Sequence, residues 1–208
     1  MSRYPITKQT AGQLGAIIAL GEKRVAVLNI HLTDYPYQPY QLLGIPYGAA
    51  PMLDEAASAI AAARKARGPG MDLLEQELGE IAGADVALVT GDMNEPSHRD
   101  WTTRAAAAGV HPMAVAFPTA RRIESLGFRD AWREVYPDEL ARPGFTWTPI
   151  TSPSDPADHH DRIDYLFVRG QVVVEAVSVV GEKHPEADIV VTPWPSDHRA
   201  VLGRFRFD

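Results

Sequence analysis

A layered α/β or α+β domain is the fold class this sequence predicts. Three observations carry that expectation. Strand-like and helix-like runs alternate early in the chain, strand-like runs dominate later, and no internal repeat or low-complexity tail interrupts them. At 208 residues the chain is long enough for one domain with a sizeable core.

Residues 14–30, LGAIIALGEKRVAVLNI, read as two strands around a Gly-Glu-Lys turn. Residues 34–48, DYPYQPYQLLGIPYG, are rich in proline and tyrosine and predict an ordered loop or lid. The alanine-rich stretch 51–67 predicts a helix that stops at the Gly68-Pro69-Gly70 break. Residues 71–82 predict a second helix, with Leu73, Leu74, Leu78 and Ile81 near helical spacing. Ala84 to Thr90 reads as a short buried strand, and GDMNEP follows it. Residues 97–108 then predict a helix with Ser97 as its N-cap, and another short helix precedes Gly127. Residues 142–160 form a long turn-rich loop, and Ile163–Val168, Val172–Val180 and Ala200–Phe207 close the chain as strands.

Composition narrows the function. An apolar fraction of 45% and a charged fraction of 23% suit a soluble globular protein. A formal net charge of −7 argues against a broad basic surface gripping nucleic acid, while leaving room for a local basic groove or an acidic cluster that holds cations. With no cysteine, disulfides, thiolate metal sites and cysteine nucleophiles are excluded. The start, MSRYPITKQT, shows no signal peptide, so the cytoplasm is the default location. No apolar stretch approaches the roughly 20 residues that span a bilayer.

Four polar clusters interrupt the apolar pattern where strands end. In VAVLNIHL, alternation puts Val25, Val27, Asn29 and His31 on one face and Ala26, Leu28, Ile30 and Leu32 on the other. The first face turns polar toward its C-terminal end. In GDMNEP, Asp92 and Asn94 sit two residues apart behind Gly91. In DRIDYLFV, Asp164 shares a face with Leu166 and Val168, and such a carboxylate needs a partner: either a structural cation such as Arg162, or a histidine that it orients. In PWPSDHRAV, Asp197-His198 precede the last strand. Each cluster alone fits an ordinary solvated turn. Together they offer carboxylates, an amide and two histidines, with no serine elbow and no glycine-rich phosphate loop. Such a set suits a hard divalent cation and a water activated by histidine.

In order, Asn29-Ile30-His31-Leu32, Gly91-Asp92-Met93-Asn94, Arg162-Ile163-Asp164-Tyr165 and Ser196-Asp197-His198 resemble the motifs of the DNase-I-like endonuclease/exonuclease/phosphatase family. The resemblance covers most of the chain except about residues 34–80. It implies a four-layer α/β sandwich with two packed, mainly antiparallel sheets. It implies one domain over residues 1–208, with a loop and helical insertion at about 34–82. By resemblance, His198 is the general base, Asp164 orients it, and His31 stabilises charge on the phosphate. Asp92 aligns the nucleophile or helps the leaving group, and Asn94 holds the phosphate or Asp92. Asp92, Asn94 and Asp197 would bind Mg2+ or Mn2+, with Ca2+ also admissible. The family's first strands, one carrying an asparagine and another a metal-binding glutamate, have no counterpart here. The sandwich is therefore expected to be N-terminally truncated. A replacement carboxylate is sought among Glu22, Asp34, Glu95 or a partner chain, and a second copy is expected to cover the open edge.

The implied reaction is metal-dependent hydrolysis of a phosphodiester, nucleic acid included. Phosphomonoesters and sphingomyelin-like substrates are alternatives, and an inactive binding or assembly module is the rival of another class. Asn29, Tyr35, Tyr37 and Trp194 are the candidate substrate contacts, with Tyr40 and Tyr47 as further stacking surfaces. The tyrosines could equally pack the loop. His159 and His160 read as polar loop residues, the alternative being an extra metal or phosphate contact. His98, His111 and His184 read as surface or capping residues, and Trp101, Trp132 and Trp147 as core or rim.

Overall fold

The computed structural model describes residues 2–207. In chain order the elements are β1 (Ile6–Gln9), β2 (Gly15–Leu20), β3 (Lys23–His31), α1 (Gln38–Leu43), α2 (Ala56–Glu80), β4 (Val86–Asp92) and α3 (Thr103–Ala107). There follow α4 (Pro118–Ser125), β5 (Arg129–Asp130), α5 (Ala131–Val135), β6 (Asp164–Gly170), β7 (Val172–Gly181), β8 (Ile189–Val190) and β9 (Ala200–Phe207). They build a six-stranded sheet in the order β1-β2-β3-β4-β6-β5 and a three-stranded sheet in the order β8-β7-β9. All pairings are antiparallel except β3 with β4 and β7 with β8. This is the expected mixed α/β class with two packed sheets.

Alternation within strands decides what packs where. Ala26, Leu28 and Ile30 of β3, Ala87 and Val89 of β4, and Tyr165 and Phe167 of β6 face a core shared with Met71, Leu74 and Leu78 of α2 and Ala120 and Ile123 of α4. The opposite face, with Val25, Val86, Leu88, Leu166 and Val168, meets Val172, Val177, Val179 and Phe205 of the smaller sheet. The central strands β3, β4 and β6 are thus packed on both faces, whereas β1 forms an exposed edge.

Three local expectations need correction. Residues 56–80 form one helix and do not break at Gly68-Pro69-Gly70. Burial of Met71, Leu74 and Leu78 carries the helix through the proline. Gly70 has its own task, since a Cβ there would lie 2.6 Å from the Leu32 side chain. The helix expected over 97–108 is confined to Thr103–Ala107 and is capped by Thr102, whose hydroxyl accepts the Ala105 N–H at 3.0 Å. Ser97 instead closes a turn that buries Trp101 against Phe117. Finally, β1 and α5 lie where no element was expected.

Candidate active site

The parallel pairing of β3 with β4 sets His31 opposite Asp92, and the antiparallel pairing of β4 with β6 sets Asp92 opposite Asp164. Residues in register across neighbouring strands lie about 5 Å apart and project from the same face. The three chemistry-bearing residues therefore stand in one row at the end of three adjacent strands. That face is the one turned toward the smaller sheet. There, the segment leading into β9 brings His198 over the row.

Two local devices hold this row. Gly91 adopts φ +129°, and a Cβ there would fall 1.8 Å from the Ile30 carbonyl oxygen, so only glycine lets β4 bend into Asp92. Asn94, at φ +48°, folds its backbone N–H onto Asp92 Oδ1 at 2.7 Å, and its amide Nδ2 donates to the Leu32 carbonyl at 2.9 Å. The second device is the strip Phe145–Thr148. Thr146 Oγ1 accepts the N–H groups of Ile163 and Asp164, both at 3.1 Å. Trp147 makes antiparallel bridges to both Asp161 and His198. The Thr148 hydroxyl donates to the Asp197 carbonyl at 2.8 Å. This strip ties the start of β6 to the start of β9.

His198 Nδ1 lies 2.8 Å from Asp164 Oδ2 and its Nε2 lies 3.9 Å from Asp92 Oδ2. His31 Nε2 is 3.5 Å from the same Asp92 oxygen, on a largely exposed side chain. Burial works against the His198 imidazolium, but the hydrogen bond and charge of Asp164 outweigh it, and His198 is held above the ordinary histidine value. Burial, reinforced by Asp164, pushes the Asp92 carboxyl up to about 6.

The residues surround a cleft of about 270 Å³, lined by His31, Asp34, Asp92, Asn94, Asp197 and His198 together with Tyr37, Tyr40, Tyr47, Trp147 and Ile163. No lysine or arginine is among the described lining residues. Asp92, Asp164 and His198 each offer a ligand atom within 4.8 Å of the others. Asp197 lines the same cleft on an exposed side chain outside that trio.

Other sequence expectations fall differently. Tyr37 lines the cleft with its hydroxyl turned to Asp161 at 2.7 Å. Tyr35 is exposed and outside the lining, with its ring edge-on to Tyr47. Asn29 accepts the Thr90 hydroxyl at 3.0 Å and is not part of the lining. Trp194 also lies outside the lining; its indole N–H grips the His198 carbonyl at 2.8 Å. Among the sought carboxylates, Asp34 lines the cleft, Glu95 is buried against Thr119 and Arg67, and Glu22 sits at the opposite end of β3. Arg162 does not serve Asp164: it is buried between Asp100 and Asp130. His111 and His160, read as a surface and a loop residue, are both buried. No local signal marks Trp147 or Thr146, whose roles depend on strands distant in the chain.

Two packed sheets with a histidine and carboxylate row at their shared mouth define a DNase-I-like α/β sandwich. The family model described as the Endonuclease/Exonuclease/phosphatase family matches residues 1–198. The chain belongs to that family. An uncharacterized protein of Caenorhabditis elegans is 26% identical over 214 residues, a match taking in 95% of this chain and 65% of that protein. The chain thus spans under two thirds of the curated relative's length. Among solved structures, a variant of the 3′ phosphatase NExo from Neisseria, bound to a product DNA hairpin, superposes with a TM-score of 0.54 at 16% identity, over 99% of this chain and 73% of that one. An endonuclease/exonuclease/phosphatase from Beutenbergia cavernae gives a TM-score of 0.51 at 18% identity, over 100% of this chain and 46% of its own.

Proposed function

We propose that this member of the family is a divalent-metal-dependent phosphodiester hydrolase. The observation that carries the reading is the cross-strand row His31–Asp92–Asp164, closed from the second sheet by His198 hydrogen-bonded to Asp164. In this reading Asp164 accepts a hydrogen bond from His198 Nδ1–H, which leaves Nε2 as the basic nitrogen facing the cleft. Nε2 takes the proton of the attacking water. Asp164 stabilises the imidazolium that results. Asp92 aligns the water or the leaving oxygen, and Asn94 keeps Asp92 in place through its backbone N–H. His31, when protonated, faces the phosphoryl oxygens.

The donor set fits a cation. Asp34, Asp92 and Asp197 line the cleft with no described lysine or arginine to oppose them, and Asp92 already resists ionisation. A phosphate entering this cleft meets like charge unless a cation bridges it. Asp92 and Asp197, with Asn94, would hold Mg2+ or Mn2+. When bound, the ion neutralises phosphoryl charge and polarises the ester. The small aromatic-walled cleft favours a compact ester or a strand end over the middle of a duplex. Residues 34–82 act in this reading as an insertion whose tyrosines wall the cleft. Self-association belongs to the same proposal, since β1 is an exposed edge strand, and light scattering decides it.

The test is a substrate panel: bis-p-nitrophenyl phosphate, a phosphomonoester, and single- and double-stranded DNA with free ends, each with Mg2+, Mn2+ or EDTA. Diester cleavage that EDTA abolishes is the expected result. Preferred monoester cleavage would point to a phosphatase, and no turnover with any metal would favour the inactive binding module.

A further inference from the structure

Outside the cleft, a second group of metal-ligating side chains converges. His111, just past α3, and His159, in the loop before β6, come from segments 48 residues apart, yet His111 Nδ1 lies 3.0 Å from His159 Nε2. Asp161 Oδ1 is 3.9 Å from His159 Nε2, and all three ligand atoms lie within 4.8 Å of one another. We propose that His111, His159 and Asp161 form a second metal site, a His2Asp centre for Zn2+ that braces the outer wall of the cleft.

The surroundings are those of a held ligand set. His111 is stacked on Trp101, with ring centroids 4.3 Å apart and planes 15° from parallel. Trp101 Nε1 also donates to Asp161 Oδ1 at 2.8 Å, and the Tyr37 hydroxyl donates to Asp161 Oδ2 at 2.7 Å. Partners of this kind fix ligand orientation in metal centres. His111 and Asp161 are buried, while His159 is partly open to a surface depression of about 700 Å³ that gives an ion a way in. That depression shares no lining residue with the catalytic cleft.

The chemistry selects the ion. Zinc–nitrogen bonds of about 2.0–2.1 Å in a tetrahedron put ligand atoms roughly 3.3 Å apart, close to the spacing of the two imidazole nitrogens. Two imidazoles and one carboxylate suit Zn2+ better than Mg2+, which prefers oxygen, and three protein ligands leave a fourth position for water. The competing explanation is an N–H···N hydrogen bond between neutral rings. It accounts for the 3.0 Å contact between the rings, and it gives no reason for a carboxylate oxygen lying within 4.8 Å of both ring nitrogens. Asp161 then links the two sites, because its other oxygen holds Tyr37, which lines the catalytic cleft. The inference does not rest on the hydrolase reading.

The experiment is Zn2+ binding to the full, chelator-stripped chain, read by competition with a chromogenic zinc chelator. His198→Ala removes a histidine of the cleft and should still bind one equivalent. His159→Ala, at the most exposed of the three ligands, should weaken that equivalent at least tenfold and reduce the rise in melting temperature that one equivalent of Zn2+ confers on His198→Ala when the two substitutions are combined. A second readout needs no substitution of the site: Zn2+ should move the imidazole 15N resonances of His111 and His159 and saturate at one equivalent. Unchanged Zn2+ affinity in His159→Ala, or ring resonances indifferent to Zn2+, would overturn the proposal and leave the hydrogen-bonded pair.

Discussion

Asp92 is asked to do two opposed things. It sits half-buried beside Asp164, and the proposed reaction needs it charged at neutral pH. Burial and that neighbour push its carboxyl up to about 6, so the folded chain holds the proton more tightly than the unfolded chain does. The stability linked to this group is therefore fully present below the unfolded value, near 4, and is lost as pH rises through about 6. In EDTA at pH 8, Asp92→Asn should stabilise the chain by about 1–3 kcal/mol. Thermal melts check this, and a lower melting temperature would count against it. Mg2+ should raise the melting temperature of the parent chain more than that of the variant. In the proposed reaction the requirement on His198 is the opposite: as a base it must be neutral. Activity should fall as pH drops through a midpoint above the ordinary histidine value. Asp164→Asn should lower both the rate and that midpoint, and a pH–rate profile of the two chains measures it. A midpoint unmoved by the substitution would mean that Asp164 does not tune His198.

At the scale of elements, backbone geometry limits what the site tolerates. Gly91→Ala forces a methyl into the Ile30 carbonyl at a φ that side chains avoid, and should cost about 2 kcal/mol or more. Chemical denaturation checks this. Pro69→Ala should act the other way, stabilising α2 by about 1–3 kcal/mol, because a proline inside a continuous helix lacks the N–H of one backbone hydrogen bond and crowds the preceding turn. The same elements show what could be read from residues in order. β3, β4 and β6 were legible because apolar alternation is a local record of two buried faces. The Asn29 and His31 end of β3 was legible because alternation turned polar there. α2 was misread because Gly68-Pro69-Gly70 is a local stop signal, and the packing of Met71 and Leu74 that overrides it is not local. β1 escaped notice because every one of its residues is exposed, so no alternation marks it. His111 looked isolated because its partner lies 48 residues away.

At the scale of the whole molecule, the site is a product of topology. Sheet register supplies His31, Asp92 and Asp164 as one row, and sheet packing supplies His198 from the other side. The sequence pointed to His31, Asp92, Asn94, Asp197 and His198, which the fold gathers around one cleft. It did not show that Trp147 and Thr146 would clamp the two halves, since that depends on bridges between distant segments. The central claim is that this row and His198 cleave a phosphoester together. The direct measurement is the initial rate of Mg2+- or Mn2+-dependent hydrolysis of the best diester by His198→Ala beside the parent chain, both verified as folded. The account predicts a rate at least about 10²-fold lower in the variant, the usual contribution of a general base. Equal rates in the two chains would contradict it.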